Sequence, residues 1–292
     1  MKMDKFILSF RERDVGGAVT SGKLCLPDGS LDACEGDRLA EIKASSRGSY
    51  VLVLLHGYNN DLKTGVERLT RYMGLLTQCG LKAIMLATLW PGDGWAKALT
   101  YPFEGRDADD TAKSLFNWLI TNVDASANVS FVAHSLGSRV AMNAAQQLAR
   151  HRNGPSLDRI CLMAPAIDND SLGRLGITCY KDATLAAERI AVLASEEDLV
   201  LRFAYPLGDL SQTILYGERW GKALGRTGPV ERNPDVIARL EPVPQSKPGR
   251  DIDHGDYLDV VSNEVDQTIA ESEKFVAAFL DNRPKPSWPA QR

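Results

Sequence analysis

The chain has 292 residues, 44% of them hydrophobic and 25% charged, with a formal net charge of −4. Mild acidity without a Lys/Arg block argues against nucleic acid as a main partner, and no apolar stretch is long enough to span a bilayer. The five cysteines (Cys25, Cys34, Cys79, Cys161 and Cys179) are odd in number and have no Cys-x-x-Cys spacing. Reduced thiols fit that pattern better than a disulfide framework or a zinc site. The start, MKMDKFILSFRERD, has too short an apolar run for a signal peptide, so a soluble, cytoplasmic protein is expected.

In chain order, KFILSF and KLCLP within residues 1–49 are short β-like runs separated by Gly- and Asp-rich turns, and they suit antiparallel edge strands. YVLVLLHG (50–57) is a continuous apolar run, expected of a central parallel strand covered on both faces. A helix follows over 61–79, then a strand over 81–90. Residues 107–123 open with acidic residues suited to a helix N-terminus and carry Leu115, Phe116, Leu119 and Ile120 on one face. A strand ending in FVAHSLG (131–137) leads into SRVAMNAAQQLAR (138–150), which is rich in helix formers and has no internal Gly or Pro. Further strands are expected at 159–165, 189–195 and 236–244, and an amphipathic closing helix at 264–280. The alternation predicts an α/β fold with a mostly parallel, doubly wound sheet as a single domain over 1–282. A small lid or insertion is expected within 199–235, and a flexible Pro-rich tail over 283–292.

Ser135 stands in the AHSLG run with Ala133 and Gly137 two positions either side, between an apolar strand and a helix. This arrangement resembles the nucleophile elbow of α/β-hydrolases, in which a strained strand-to-helix turn exposes a serine hydroxyl at the apex. A serine needs a base to become nucleophilic, normally a histidine held by a carboxylate, and in this family the chain order is Ser, Asp/Glu, His. Of the four histidines, His254 in the polar loop DIDHGDYLD is the one whose position matches the family's base. His56 and His134 read as structural, and His151 ends a helix. By the same resemblance the acid is Asp198, which follows the 189–195 strand at the start of an apolar run. Asp168, Glu196 and Glu197 remain alternatives. The resemblance implies oxyanion donors at the backbone amides of Leu136 and Tyr58, with Asn59 as an alternative to the latter.

HGYNN (56–60), LWPGDG (89–94) and the elbow together resemble a poorly characterised bacterial subgroup of α/β-hydrolases, over roughly residues 50–260. The departures are Ala133, where glycine is usual, and Ala166, where relatives often carry an acid. Trp90, Trp95, Tyr101, Phe103, Phe203, Tyr205 and Trp220 fall in loops expected at the carboxyl edge of the sheet, where they line a substrate pocket or cover the core. The resemblance implies a serine hydrolase that cleaves a small-molecule carboxylic ester or thioester and needs no metal or organic cofactor. A peptidase, an acyltransferase and a non-catalytic binding protein on the same scaffold stay open as alternatives.

Overall fold

The computed structural model describes residues 4–92, 104–174, 179–203, 222–243, 253–255, 257–258 and 271–285. Its seven strands are β1 (Lys5–Arg11), β2 (Val19–Cys25), β3 (Tyr50–Leu55), β4 (Ile84–Leu89), β5 (Asn128–His134), β6 (Ser156–Met163) and β7 (Arg189–Leu193). They form one sheet in the order β2-β1-β4-β3-β5-β6-β7. Only β1 and β2 pair antiparallel, as expected of the N-terminal runs; β1 also joins β4 in parallel, and every remaining pair is parallel. All six residues of β4 and five of the six in β3 are buried, which is why these runs are continuously apolar rather than alternating.

Helices α1 (Glu35–Ser45), α3 (Glu104–Asn122), α4 (Gly137–Arg150) and α5 (Lys181–Ala186) pack on one another in series, whereas α2 (Leu62–Gln78) packs on the closing helix at Glu271–Leu280. Residue Asp61 starts α2 by accepting a hydrogen bond from the Thr64 amide at 2.7 Å. Helix α1 carries little apolar signal, and Ile42 is its one buried residue, so the sequence pattern missed it. The first part of the expected closing helix, 264–270, lies outside the described residues, as does 204–221 of the expected lid.

The strand expected at 236–244 is not one. Asn233 caps a short helix at Pro234–Ile237 with its side chain, and proline suits the first helical position. Only Leu240 then touches the sheet, as a single parallel bridge to Ile190. Pro242 and Pro244 lack the amide that a ladder requires there.

The chain runs from β3 outward to β4 on one side, then returns to place β5 on the other side of β3. A crevice opens at the carboxyl ends of strands where the order reverses in this way. The loops after β3 and β5 therefore meet at the sheet's natural ligand position. Arg11, 8% exposed at the end of β1, ties the loop after β3 to the chain leaving β4 and to its own following turn. Its Nη1 donates to the carbonyls of Asn60 (3.0 Å) and Trp90 (2.7 Å), its Nη2 to Asp14 (2.8 Å), and its Nε to Arg13 (3.2 Å). Replacing Arg11 with Met strands buried carbonyls that water reaches poorly, at about 1–3 kcal/mol each when fully unsatisfied. The Arg11→Met variant should lose about 3 kcal/mol of unfolding free energy in urea denaturation. A loss below about 0.5 kcal/mol contradicts this clamp.

Candidate active site

Strand β5 ends at His134, and Ser135 turns the chain in the left-handed region with φ 53° before α4 begins. That conformation costs a non-glycine residue on the order of 1–3 kcal/mol and persists only where its surroundings enforce it. Here the Ser135 amide donates to the Met163 carbonyl at 2.9 Å, and the Ser135 carbonyl accepts from the Ala166 amide at 3.2 Å. The two small residues flanking the serine are not equivalent. A methyl at Gly137 would sit 2.3 Å from the His56 carbonyl oxygen, so glycine is required there. Ala133, by contrast, is accommodated fully buried in β5, which accounts for the alanine at that position.

The structure brings Ser135, His254 and Asp198 into one hydrogen-bonded chain. His254 Nε2 lies 2.8 Å from Ser135 Oγ, and His254 Nδ1 lies 2.7 Å from Asp198 Oδ2. A carboxylate can only accept, so Nδ1 carries the proton and Nε2 is free to accept from the serine hydroxyl. Asp198 is fully buried, and its second oxygen accepts the Leu201 amide at 2.8 Å. It thus also caps the short helix at Leu199–Phe203, the third residue of which is Leu201. Glu196 and Glu197 are exposed. Asp168 lies on the loop after β6, bridged to Ala223, with its carbonyl accepting from Ser171. The imidazole of His254 bonds to Asp198 instead.

Gly57 approaches the serine closely: a Cβ there would lie 2.9 Å from Ser135 Cβ and 2.8 Å from His134 Nδ1. Of the two amides weighed in this loop, that of Asn59 donates to the Gly92 carbonyl at 2.6 Å, and that of Tyr58 is the donor the family resemblance implies. The Leu136 amide opens the first turn of α4, where backbone N–H groups have no intrahelical acceptor.

Trp90 does not line a pocket. It is fully buried, its indole N–H donates to the His56 carbonyl at 2.9 Å, and its ring stacks on His56 at 5.8 Å between centroids. An indole with a buried partner for its N–H is more stable inside than at a wet cleft. Trp95, Tyr101, Phe103, Tyr205 and Trp220 lie outside the described residues, as does the side chain of Phe203.

Several residues around the site carried no usable sequence signal. The His134 ring donates from Nε2 to the His254 carbonyl at 2.8 Å, across 120 positions of sequence. The segment that returns at Lys222 lies over the ends of β6 and β7: Gly225 donates to the Pro165 carbonyl, and Ser195 donates to that of Gly225, both at 2.9 Å. A methyl at Gly225 would sit 2.3 Å from the Ala164 carbonyl carbon. No helix among the described residues is long and apolar enough to cross a membrane.

The strand order, the elbow at its reversal and the helical layers define an α/β-hydrolase fold. The chain belongs to the family described as "Alpha/beta hydrolase of unknown function (DUF900)", whose model matches residues 33–213. No curated protein matches the chain. Among solved structures it is similar to a candidate hydrolase of Agrobacterium vitis S4, at 14% identity and a TM-score of 0.38, covering 72% of this chain and 83% of that one. It is also similar to an esterase of Pyrobaculum calidifontis, at 18% identity and a TM-score of 0.31, covering 59% of this chain and 64% of that one.

Two of the site's histidines are held neutral. Burial pushes His56 down to about 3, and burial together with the neighbouring His254 pushes His134 well below the ordinary imidazole value. An unfolded histidine takes up a proton below about pH 6.5, whereas these two resist it when folded, so each costs stability as the pH falls through that value. Asp158 acts in the opposite direction: burial and Glu188 push it up to about 6, so the folded state binds its proton first. Comparing wild type with His134→Gln cancels the Asp158 effect. Between about pH 6 and pH 5, wild type should lose more unfolding free energy than the variant in urea denaturation, by up to about 1.2 kcal/mol. Parallel pH profiles contradict a neutral, buried His134.

Proposed function

We propose that the protein is a serine hydrolase that cleaves a carboxylic ester or thioester through an acyl-enzyme. The observation that carries this reading is the unbroken Asp198–His254–Ser135 chain, with its serine on a strained elbow. Ser135 Oγ attacks the acyl carbon while its proton passes to His254 Nε2. Asp198 holds the opposite ring nitrogen and stabilises the imidazolium that forms. The negative charge on the acyl oxygen falls to the Leu136 and Tyr58 amides. His254 then returns its proton to the leaving alcohol or thiol. A water molecule, deprotonated by the same imidazole, attacks the acyl-serine and releases the acid. The imidazolium gives that proton to the Ser135 oxygen as the acyl bond breaks, and the water's second proton leaves with the acid, so the cycle balances without a cofactor.

The dual role of Asp198 sharpens the test. Asparagine keeps the oxygen that caps the Leu199–Phe203 helix but favours the wrong imidazole tautomer. Asp198→Asn should therefore lose on the order of 10⁴-fold in turnover with a nearly unchanged melting temperature. Asp168→Asn, Glu196→Gln and Glu197→Gln should stay within about tenfold of wild type, or about 1.4 kcal/mol in the barrier. Ser135→Ala should lose on the order of 10⁴–10⁶-fold. Initial rates on p-nitrophenyl esters of graded acyl length check all five variants and report the preferred chain length. Retention of more than a few per cent of activity by a clean Ser135→Ala preparation rejects the nucleophile. A large loss at Asp168 with a normal Asp198→Asn variant moves the acid to the loop after β6.

A further inference from the structure

The HGYNN loop is built to fix the direction of one peptide group. The Gly57 carbonyl accepts two hydrogen bonds, from His56 Nδ1 at 2.8 Å and from Asn60 Nδ2 at 3.0 Å. The same Asn60 nitrogen also donates to the Tyr58 carbonyl at 3.1 Å. Each of the two donors is itself held. His56 Nε2 accepts the Trp90 amide at 3.2 Å, which leaves the ring's proton on Nδ1, and its ring is stacked on Trp90. Asn60 Oδ1 accepts from Arg68 Nη1 at 3.0 Å, so the amide cannot flip without facing donor to donor. Its main-chain oxygen accepts from Arg11 Nη1 at 3.0 Å, and Asn60 is 1% exposed.

In a trans peptide the carbonyl and the following N–H point in opposite directions. A Gly57 carbonyl locked toward His56 and Asn60 therefore turns the Tyr58 N–H the other way. Gly57 itself sits against Ser135, so this peptide group lies beside the reacting atom. A reversed peptide would present its oxygen to the negative charge that develops during acyl transfer and would repel it.

We propose that His56 and Asn60 are positioning residues that aim the Tyr58 amide at the acyl oxygen on Ser135, an inference that rests on the serine hydrolase reading. They touch no substrate. They act by holding the Gly57–Tyr58 peptide in the one orientation that serves the transition state, before substrate arrives. Asn60 gives the cleaner test, because His56 is also a core residue stacked on Trp90.

The experiment compares the full-length wild type with Asn60→Ala and Asn60→Asp. Three quantities are read on p-nitrophenyl acetate and phenylboronic acid: kcat, KM, and the inhibition constant of the boronic acid as a tetrahedral adduct on serine. End-point labelling by a fluorophosphonate counts intact sites. The expected result for Asn60→Ala is a loss of about 10–100-fold in kcat, an equal loss in boronate affinity, and KM within about threefold at full labelling. Asn60→Asp should fall at least as far as Asn60→Ala, although aspartate has nearly the shape of asparagine. It presents an acceptor where Gly57 needs a donor, whereas a residue that merely fills space would be replaced better by aspartate than by alanine. The proposal is overturned if turnover falls without an equal loss of boronate affinity, or if Asn60→Asp outperforms Asn60→Ala. Wild type that takes no label at Ser135 overturns the serine reading instead, and this proposal with it.

Discussion

Between the loop after β3 and the turn after β5, the backbones pack too closely for a single methyl group. Gly137 lies against the His56 carbonyl, and Gly57 lies against Ser135 and His134. That contact makes the site possible, because it brings the candidate donor loop within reach of a serine on a different strand. It also sets the requirements on the rest of the structure. β3 and β5 must be neighbours in register, with Leu55 beside Ala133, so that both loops leave the sheet at the same height. The serine must accept a left-handed backbone, and bonds to Met163 at the end of β6 and to Ala166 just beyond it hold it there. A packed interior does not deform continuously, so a methyl at either glycine would have to be absorbed by displacing one whole loop.

Burial divides the histidines by task. His56 and His134 are almost completely enclosed and stay neutral, and each donates one ring N–H to a main-chain carbonyl. His254, whose side chain is 13% exposed, sits between a fully buried carboxylate and the serine hydroxyl. The two enclosed rings bond to backbone near the serine, and the third is the proposed base. His134 also packs on His254 at 4.9 Å between ring centroids and bonds to its carbonyl, so the elbow strand holds the loop that carries the proposed base. The acid is tied in similarly: the cap it provides to the Leu199–Phe203 helix fixes the carboxylate before the imidazole adds its own bond.

Much of this was legible from residue order. Continuous apolar runs marked β3 and β4, and small residues around Ser135 marked the elbow. Asp198 stood out by resemblance to the family's pattern of a strand, a polar turn, an acid and an apolar helix start, and the cap it forms there is part of what holds the carboxylate in place. Other features had no local signature. Arg11 resembles any arginine at the end of a strand, yet its guanidinium bonds to carbonyls from two distant segments and from its own following turn. Asn60 could as well have been an ordinary turn residue, since its role lies in bonds to residues two and three positions back and to an arginine on α2. Trp90 could be read from the sequence as pocket-lining or as core-covering, because aromatics near a sheet edge serve either purpose. Only the stack on His56 distinguishes them. The strand expected at 236–244 failed for a readable reason, since its prolines had already ruled out a ladder.

The central claim is that this elbow and the HGYNN loop together form a preorganised site for an oxyanion on Ser135. A crystal structure of the full chain after reaction with a small fluorophosphonate tests it most directly. The account predicts a covalent bond to Ser135 Oγ, with the phosphonyl oxygen about 2.7–3.1 Å from both the Leu136 and Tyr58 amide nitrogens. An adduct on another residue, or a phosphonyl oxygen turned away from both amides, would contradict it.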